Sequence, residues 1–264
     1  MHGGLFAFLL LLSTSLFAGP HHKEQLVEFA KNVKKSEVVV FDLDDTLMDL
    51  RYRGMGFYSE MAKDADLQKK FPKETQVLLD GLNLDVVGYT PDITLAGVGL
   101  LKSEHLGFSN EADKYFGSHA FTSAALAWDK PVAGAVDFVN ALFGKGAVIV
   151  YLSGRSDNVL DASEKSLKKL GFPIGVANTA IFLKPEGSKG NTSDFKGKAG
   201  TEIQKLGTVV GVFDNEPANL VEIRKLWGFK SAKLFFVNTQ WAGYKMEEMV
   251  HTGNYFWLRN FETL

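Results

Sequence analysis

Cysteine is absent from all 264 residues. Its absence excludes disulfides, thiolate metal sites, cysteine nucleophiles and a lipidated cysteine at a mature N-terminus. It does not argue against export, because a core of this size needs no covalent staples. An excess of positive charge is missing too. The 29 basic and 31 acidic residues leave a net charge of −2, so the chain offers no footprint for nucleic acid. Pairs such as Lys34-Lys35 and Lys168-Lys169 read as solvated helix faces. Beyond the N-terminus no apolar run reaches the length that spans a bilayer, about 20 residues. His105, His119 and His251 show no ligand spacing, and His21-His22 read as an unstructured start of the mature chain rather than a metal site.

What is present begins with Leu5 to Leu12, almost wholly apolar, followed by the small-residue stretch Ser13 to Ala18. This pattern predicts a signal peptide over residues 1–18, cut after Ala18. A retained anchor is the rival reading, but the apolar core is short for a span. The expectation is an exported protein, periplasmic or secreted, with no stable membrane insertion once the signal is removed. Hydrophobic content of 45% and charged content of 23% describe an ordinary globular chain.

Strand and helix patterns alternate after that. Leu26, Phe29, Ala30 and Val33 mark a helix, and Val38 to Phe41 reads as a buried strand. A helix entered through Pro131 carries Val132, Val136, Val139 and Phe143, with Gly144 past its end. Strand-like runs recur at 147–152, 180–183, 208–213 and 233–237, with helices between them. Such alternation predicts an α/β fold, a Rossmann-like three-layer α/β/α core with a parallel sheet. Residues 48–128 interrupt it with mostly helical patterns, for example 57–70 and 110–116. The span is too long to be an unstructured loop, so it reads as an inserted helical domain. The core then comprises 19–47 and 129–264. The late aromatics Trp241, Tyr244, Tyr255, Phe256 and Trp257 read as packing on that core.

Four chemical features fall at or just beyond successive strand ends. Asp42 and Asp44 follow the first strand, and Ser153-Gly154-Arg155 follows 147–152. A lysine stands in Phe195-Lys196-Gly197-Lys198, and Asp214-Asn215-Glu216 follows 209–213. In a parallel sheet these ends converge on one edge. Acids crowded there repel each other and lose hydration, so they call for a cation. The inventory suits phosphoryl transfer. A carboxylate attacks phosphorus, a second acid shuttles the proton, magnesium meets hard oxygen ligands, and a hydroxyl with a lysine stabilises the phosphoryl oxygens. The lysine stays open among Lys184, Lys189, Lys196 and Lys198. Lys196 is preferred because it lies two helical turns before Ile203, on the same face.

Asp42-x-Asp44-x-Thr46 after an apolar strand, Ser153 ending the next core strand, a lysine at a helix start and Asp214 after a later strand come in that order. Together they resemble the motifs of haloacid-dehalogenase (HAD) superfamily phosphohydrolases, over residues 38 to 216. A looser similarity links the chain to secreted acid phosphatases of that superfamily. The resemblance implies that Asp42 is the nucleophile and a magnesium ligand. Asp44 would be the general acid/base, with its main-chain carbonyl on the metal, and Asp214 the third protein ligand. Ser153, Gly154 and Lys196 would bind phosphate, and the insertion would be a helical cap of the first type. The retained Asp44 favours ester cleavage over dehalogenation. The expected activity is a magnesium-dependent phosphomonoesterase acting on a small phosphorylated substrate through an aspartyl-phosphate. The alternatives are a phosphotransferase or mutase on the same intermediate, or a non-catalytic phospho-ligand-binding protein.

Departures from the family pattern are visible as well. Asp45 stands where glycine is more usual, and the fourth motif lacks a second aspartate, leaving Glu216 or Asn219 to hold a metal-bound water. Arg155 reads equally as a substrate contact or a structural charge pair. Arg51, Tyr52 and Arg53 read as solvent-facing, with contact to an anionic substrate as the alternative. Ser156 reads as a helix cap, as does Asp214 if it carries no chemistry.

Overall fold

The computed structural model describes residues 22–228, 231–241, 246–252 and 255–263. The expected signal peptide, residues 1–18, lies outside them. Eight strands form among the described residues: β1 (Val38–Phe41), β2 (Met48–Asp49), β3 (Lys130–Pro131), β4 (Val148–Ser156), β5 (Thr179–Lys184), β6 (Val209–Asp214), β7 (Lys233–Val237) and β8 (Tyr255–Leu258). Six of them make one sheet in the order β5-β4-β1-β6-β7-β8, every pair parallel. This is the α/β fold expected from the alternating patterns.

Burial of β1 on both faces explains its unbroken apolar run. Val39 and Phe41 face one layer, with Leu26 and Phe29 of α1 (Lys23–Asn32), Phe138 and Leu142 of α8 (Ala135–Gly144) and Leu167 of α9 (Leu160–Leu170). Val38 and Val40 face the other, with Ile203 of α10 (Thr192–Ile203), Leu220 and Ile223 of α11 (Pro217–Leu226) and Met249 of α12 (Met246–Thr252). From β1 the chain runs outward through β4 to β5, then crosses back to β6 and runs outward the other way. The crevice at the carboxyl ends of β1 and β6 is therefore the switch point, where such sheets bind ligands.

Between β2 and β3 lie six helices: α2 (Leu50–Lys63), α3 (Ala65–Lys70), α4 (Pro72–Gly81), α5 (Pro91–Gly97), α6 (Leu106–His119) and α7 (Ser123–Leu126). They share a core of their own around Phe57, Met61, Leu78, Leu95 and Phe108. The insertion joins the sheet through a two-strand ribbon in which Met48 pairs with Pro131 and Asp49 with Lys130, antiparallel.

Several boundaries differ from expectation. Pro131 sits in β3 opposite Met48, so α8 starts later, after Gly134 in the left-handed region at φ 75°. A side chain on Gly134 would strike the Phe261 backbone at 2.5 Å. The pattern over 57–70 breaks at Asp64, whose carboxylate caps α3 by accepting from Leu67 N at 2.9 Å. Lys34 and Lys35 lie past the end of α1 rather than on a helix face. Tyr255 to Leu258 pack as expected but do so as the edge strand β8. His22 is part of the fold, its Nδ1 accepting from Trp257 N at 3.0 Å.

Candidate active site

A tight turn follows β1. Asp42 N still donates to Phe213 O at 2.9 Å, extending the β1–β6 ladder by one residue. The Leu43 carbonyl then accepts from the amides of Thr46, Leu47 and Met48. Asp45 takes the left-handed conformation at φ 54°, which explains why glycine is common there and why aspartate is tolerated. Its carboxylate accepts from Leu50 N at 3.2 Å, and its carbonyl accepts from the Thr239 hydroxyl. Burial pushes the Asp45 carboxyl well above the usual range.

Asp42 lies at the centre of a buried chain of charges. Lys196 Nζ donates to Asp42 Oδ1 at 2.5 Å and to Asp214 Oδ2 at 2.6 Å. The Thr46 hydroxyl stands 2.9 Å from Asp42 Oδ2 and accepts from Asn215 N at 2.9 Å. Asp214 is held in turn by Glu216 N at 2.8 Å and by Asn219 Nδ2 at 2.9 Å, while the Ser193 hydroxyl donates to Asn219 Oδ1 at 2.9 Å. Burial is the largest influence on the Asp42 carboxyl and, with Asp214 and Asp44, outweighs Lys196 to push it up to about 7. For Lys196 the balance is reversed. Burial would lower it, but Asp214 and Asp42 hold its ammonium charged.

Asp44 belongs to a second cluster. Arg155 grips it twice, Nε to Oδ2 at 2.8 Å and Nη2 to Oδ1 at 2.7 Å, and Arg53 Nη2 reaches Oδ1 at 2.8 Å. Both arginines also contact Asp129. Arg53 does so through Nε at 2.7 Å and Nη2 at 2.9 Å, and Arg155 through Nη2 at 3.1 Å. Burial alone would raise the Asp44 carboxyl; Arg155 and then Arg53 overcome it and hold it well below the usual carboxylate range.

The crevice opens into a cavity of about 700 Å³ between the sheet edge and the insertion. Asp42, Asp44, Ser153, Gly154 and Lys196 line one side, and Phe57, Phe116 and Phe121 line the other. A separate groove of about 520 Å³ between α1 and α8 contains none of the motif residues. Gly154 is needed because a side chain there would strike Thr192 at 2.5 Å. Asp214 lies beneath the cavity floor and acts on it through Lys196. Of the four candidate lysines, Lys196 joins Asp42. Lys184 lines the cavity with its ammonium on Gly190 O at 2.7 Å, and Lys189 and Lys198 are exposed.

Three readings need correction. Arg53 does not face solvent: it is 2% exposed, with Nε and Nη2 bonded in the second cluster and Nη1 buried without a hydrogen-bond partner, whereas Arg51 pairs with Asp49 outside the cavity. Ser156 makes no cap bond. Asp214 is not a helix cap either, since Glu216 occupies that position before α11. No sequence motif marks Asp129. Sequence held one clue to the second cluster: Arg53, Phe57 and Met61 are spaced along a single helical face, so an arginine there needs a buried partner.

Among the described residues no three aspartate, glutamate or histidine side chains form a cluster that could hold a metal ion. The donor chemistry nonetheless fits a hard cation. Two buried carboxylates, Asp42 and Asp214, converge on one position that carries positive charge, the Lys196 ammonium.

Residues 107–224 match the family model described as HAD superfamily, subfamily IIIB (acid phosphatase). The matched stretch contains Ser153, Lys196 and Asp214 and begins downstream of Asp42 and Asp44. Among solved structures, a candidate phosphatase of Clostridium difficile is 14% identical over 86% of this chain and 95% of its own, with a TM-score of 0.50. A class C acid phosphatase of Bacillus anthracis with tungstate bound is 17% identical over 90% and 74%, at 0.46. A family IA HAD hydrolase of Entamoeba histolytica is 14% identical over 86% and 95%, at 0.46. For the Clostridium difficile structure, at 14% identity, the likeness is one of fold. No curated protein matches the chain. The family model covers residues 107–224, less than half of the chain, and marks a similarity to the haloacid-dehalogenase superfamily. The matched model is that of the subfamily IIIB acid phosphatases, a similarity that supports a hydrolase of phosphate monoesters. No helix among the described residues is long and apolar enough to cross a membrane.

Proposed function

We propose that the chain is an exported, magnesium-dependent phosphomonoesterase that works through an aspartyl-phosphate on Asp42. The observation that carries this reading is the arrangement around Lys196. One buried ammonium bridges Asp42 and Asp214 directly below a cavity whose rim presents Asp44, Ser153 and Gly154. The carboxylates of Asp42 and Asp214 and the main-chain carbonyl of Asp44 would hold magnesium, which when bound offsets the negative charge of the phosphate and its attacker.

In the first step an Asp42 oxygen attacks phosphorus, the ester P–O bond breaks, and the leaving oxygen takes a proton from Asp44. In the second, water attacks the phosphoryl group and gives its proton to Asp44. The acyl-phosphate P–O bond breaks, releasing inorganic phosphate and restoring the Asp42 carboxylate. Asp44 is ionised while both guanidiniums hold it. An arriving phosphate dianion adds negative charge beside it, competes for Arg155 and raises its affinity for a proton. Ser153, Gly154 and Lys196 hold the phosphoryl oxygens. The six-helix insertion acts as a cap that excludes water during attack and contacts the alcohol part of a small phosphorylated substrate.

Phosphate release from a panel of esters, with magnesium and with chelator, tests the reading. Turnover should need the cation and should vanish in Asp42→Asn. Full activity in that variant removes Asp42 as nucleophile. The fourth motif, Asp214-Asn215-Glu216, lacks a second aspartate, which favours one rival, a phospho-ligand-binding protein without turnover. Phosphate binding with no release from any ester selects it.

A further inference from the structure

The Arg53–Arg155–Asp44–Asp129 cluster is built across the junction between insertion and sheet. Arg53 lies on α2, just after β2, and Asp129 immediately precedes β3, so their fork-shaped bridge spans the two strands of the ribbon. Arg155 comes from the other side, at the end of β4. The cluster holds two positive and two negative groups, and each arginine touches both carboxylates. Ser163 of α9 accepts from Arg155 Nη1 at 3.2 Å, and Ser166 of the same helix lies 3.5 Å from Asp129. Asp129 has a fully buried side chain and does not line the cavity. It can influence a substrate only through the arginines.

We propose that Asp129 and Arg53 are positioning residues that fix the direction in which Asp44 presents its carboxylate. The inference rests on the assignment of Asp44 as proton carrier. Three charge-assisted bonds from two planar guanidiniums leave the Asp44 carboxylate no freedom to turn. Each guanidinium is in turn held by Asp129. Loss of the Asp129 charge leaves two buried cations competing for one carboxylate. A staple between the two ribbon strands needs only Arg53 and Asp129. The second arginine adds one 3.1 Å contact to Asp129 but grips Asp44 twice, at 2.7 and 2.8 Å, from the opposite wall.

The dependence of the reaction on its leaving group separates positioning from mere support. Ethoxide must be protonated as the P–O bond breaks, whereas dinitrophenolate departs as a stable anion. In Asp129→Asn and in Arg53→Lys, kcat/KM for ethyl phosphate should fall on the order of 100-fold, the contribution typical of a placed acid. For dinitrophenyl phosphate the fall should stay within about fivefold, because the assistance lost is assistance that ester does not need. Should either single variant fail to fold, the double variant Arg53→Met with Asp129→Leu replaces the pair by apolar groups that a buried site accepts, and the same contrast is expected. Equal losses on both esters, or a larger loss on dinitrophenyl phosphate, overturn the inference and leave the phosphatase reading standing. A wild-type chain that cleaves neither ester overturns both.

Discussion

Replacing Asp42 by asparagine should stabilise the cation-free protein at neutral pH. The carboxylate is 5% exposed, and burial leads the effects that push it from 3.8 up to about 7. In the unfolded chain it ionises near the ordinary value. Between these limits the native state keeps a proton that the unfolded state has released, so stability falls as the pH rises. The contribution is intact below about pH 4 and lost above about pH 7, and the gap corresponds to about 4 kcal/mol. Asparagine keeps the shape, its oxygen can still accept from Lys196 while its amide nitrogen faces the Thr46 hydroxyl oxygen, and it never ionises. Wild type and Asp42→Asn should therefore unfold alike near pH 4. By about pH 8 the variant should gain up to about 4 kcal/mol, roughly 10 °C in midpoint for a chain of this size. Urea and thermal unfolding in chelator across that range measure it. Magnesium should shrink or invert the gap, because it binds only the folded wild-type site. A difference that does not change with pH, or a wild type that is the more stable at pH 8 in chelator, refutes the argument.

Three further outcomes follow from the same geometry. Lys196→Met leaves the Asp42 and Asp214 carboxylates, 6% and 2% exposed, without their shared cation. It should cost about 3–5 kcal/mol in chelator, with much of the loss recovered in magnesium, as read by thermal unfolding. Asn219→Asp places an acid where Nδ2 now donates to Asp214 at 2.9 Å. Calorimetric titration should show tighter magnesium binding, and unfolding in chelator should occur at lower denaturant. Gly200→Ala puts a methyl 2.5 Å from the Trp227 ring, in the seam between α10 and α11. Denaturation should show a loss of about 1–3 kcal/mol, and ester turnover should fall because α10 carries Lys196.

The parallel sheet is legible in the sequence because each of its inner strands is a short apolar run bounded by turn residues. Val38 to Phe41 can satisfy that pattern only when covered on both faces. Two-residue strands have no periodicity to read, so β2 and β3 do not announce themselves, and Pro131 resembles a helix start although it faces Met48. The acids of the site are legible for the opposite reason: Asp42, Asp44 and Asp214 end apolar runs where charge is costly. Lys196 follows from helical spacing. Arg53 and Asp129 lie 76 residues apart, and no local rule pairs them. Each looks ordinary alone, and only the fold shows that they neutralise one another.

The ribbon of β2 and β3 also bears on how such a protein can be altered. Because residues 48 and 131 are paired across the ribbon, the segment between them is a cassette whose ends already meet. A short turn could close the core in its place without moving a sheet strand. Any such exchange also discards Arg53 and Asp129, so a replacement cassette has to bring its own countercharges for Asp44 and Arg155. The insertion is separable in topology but not in electrostatics, which restricts the caps this core can accept.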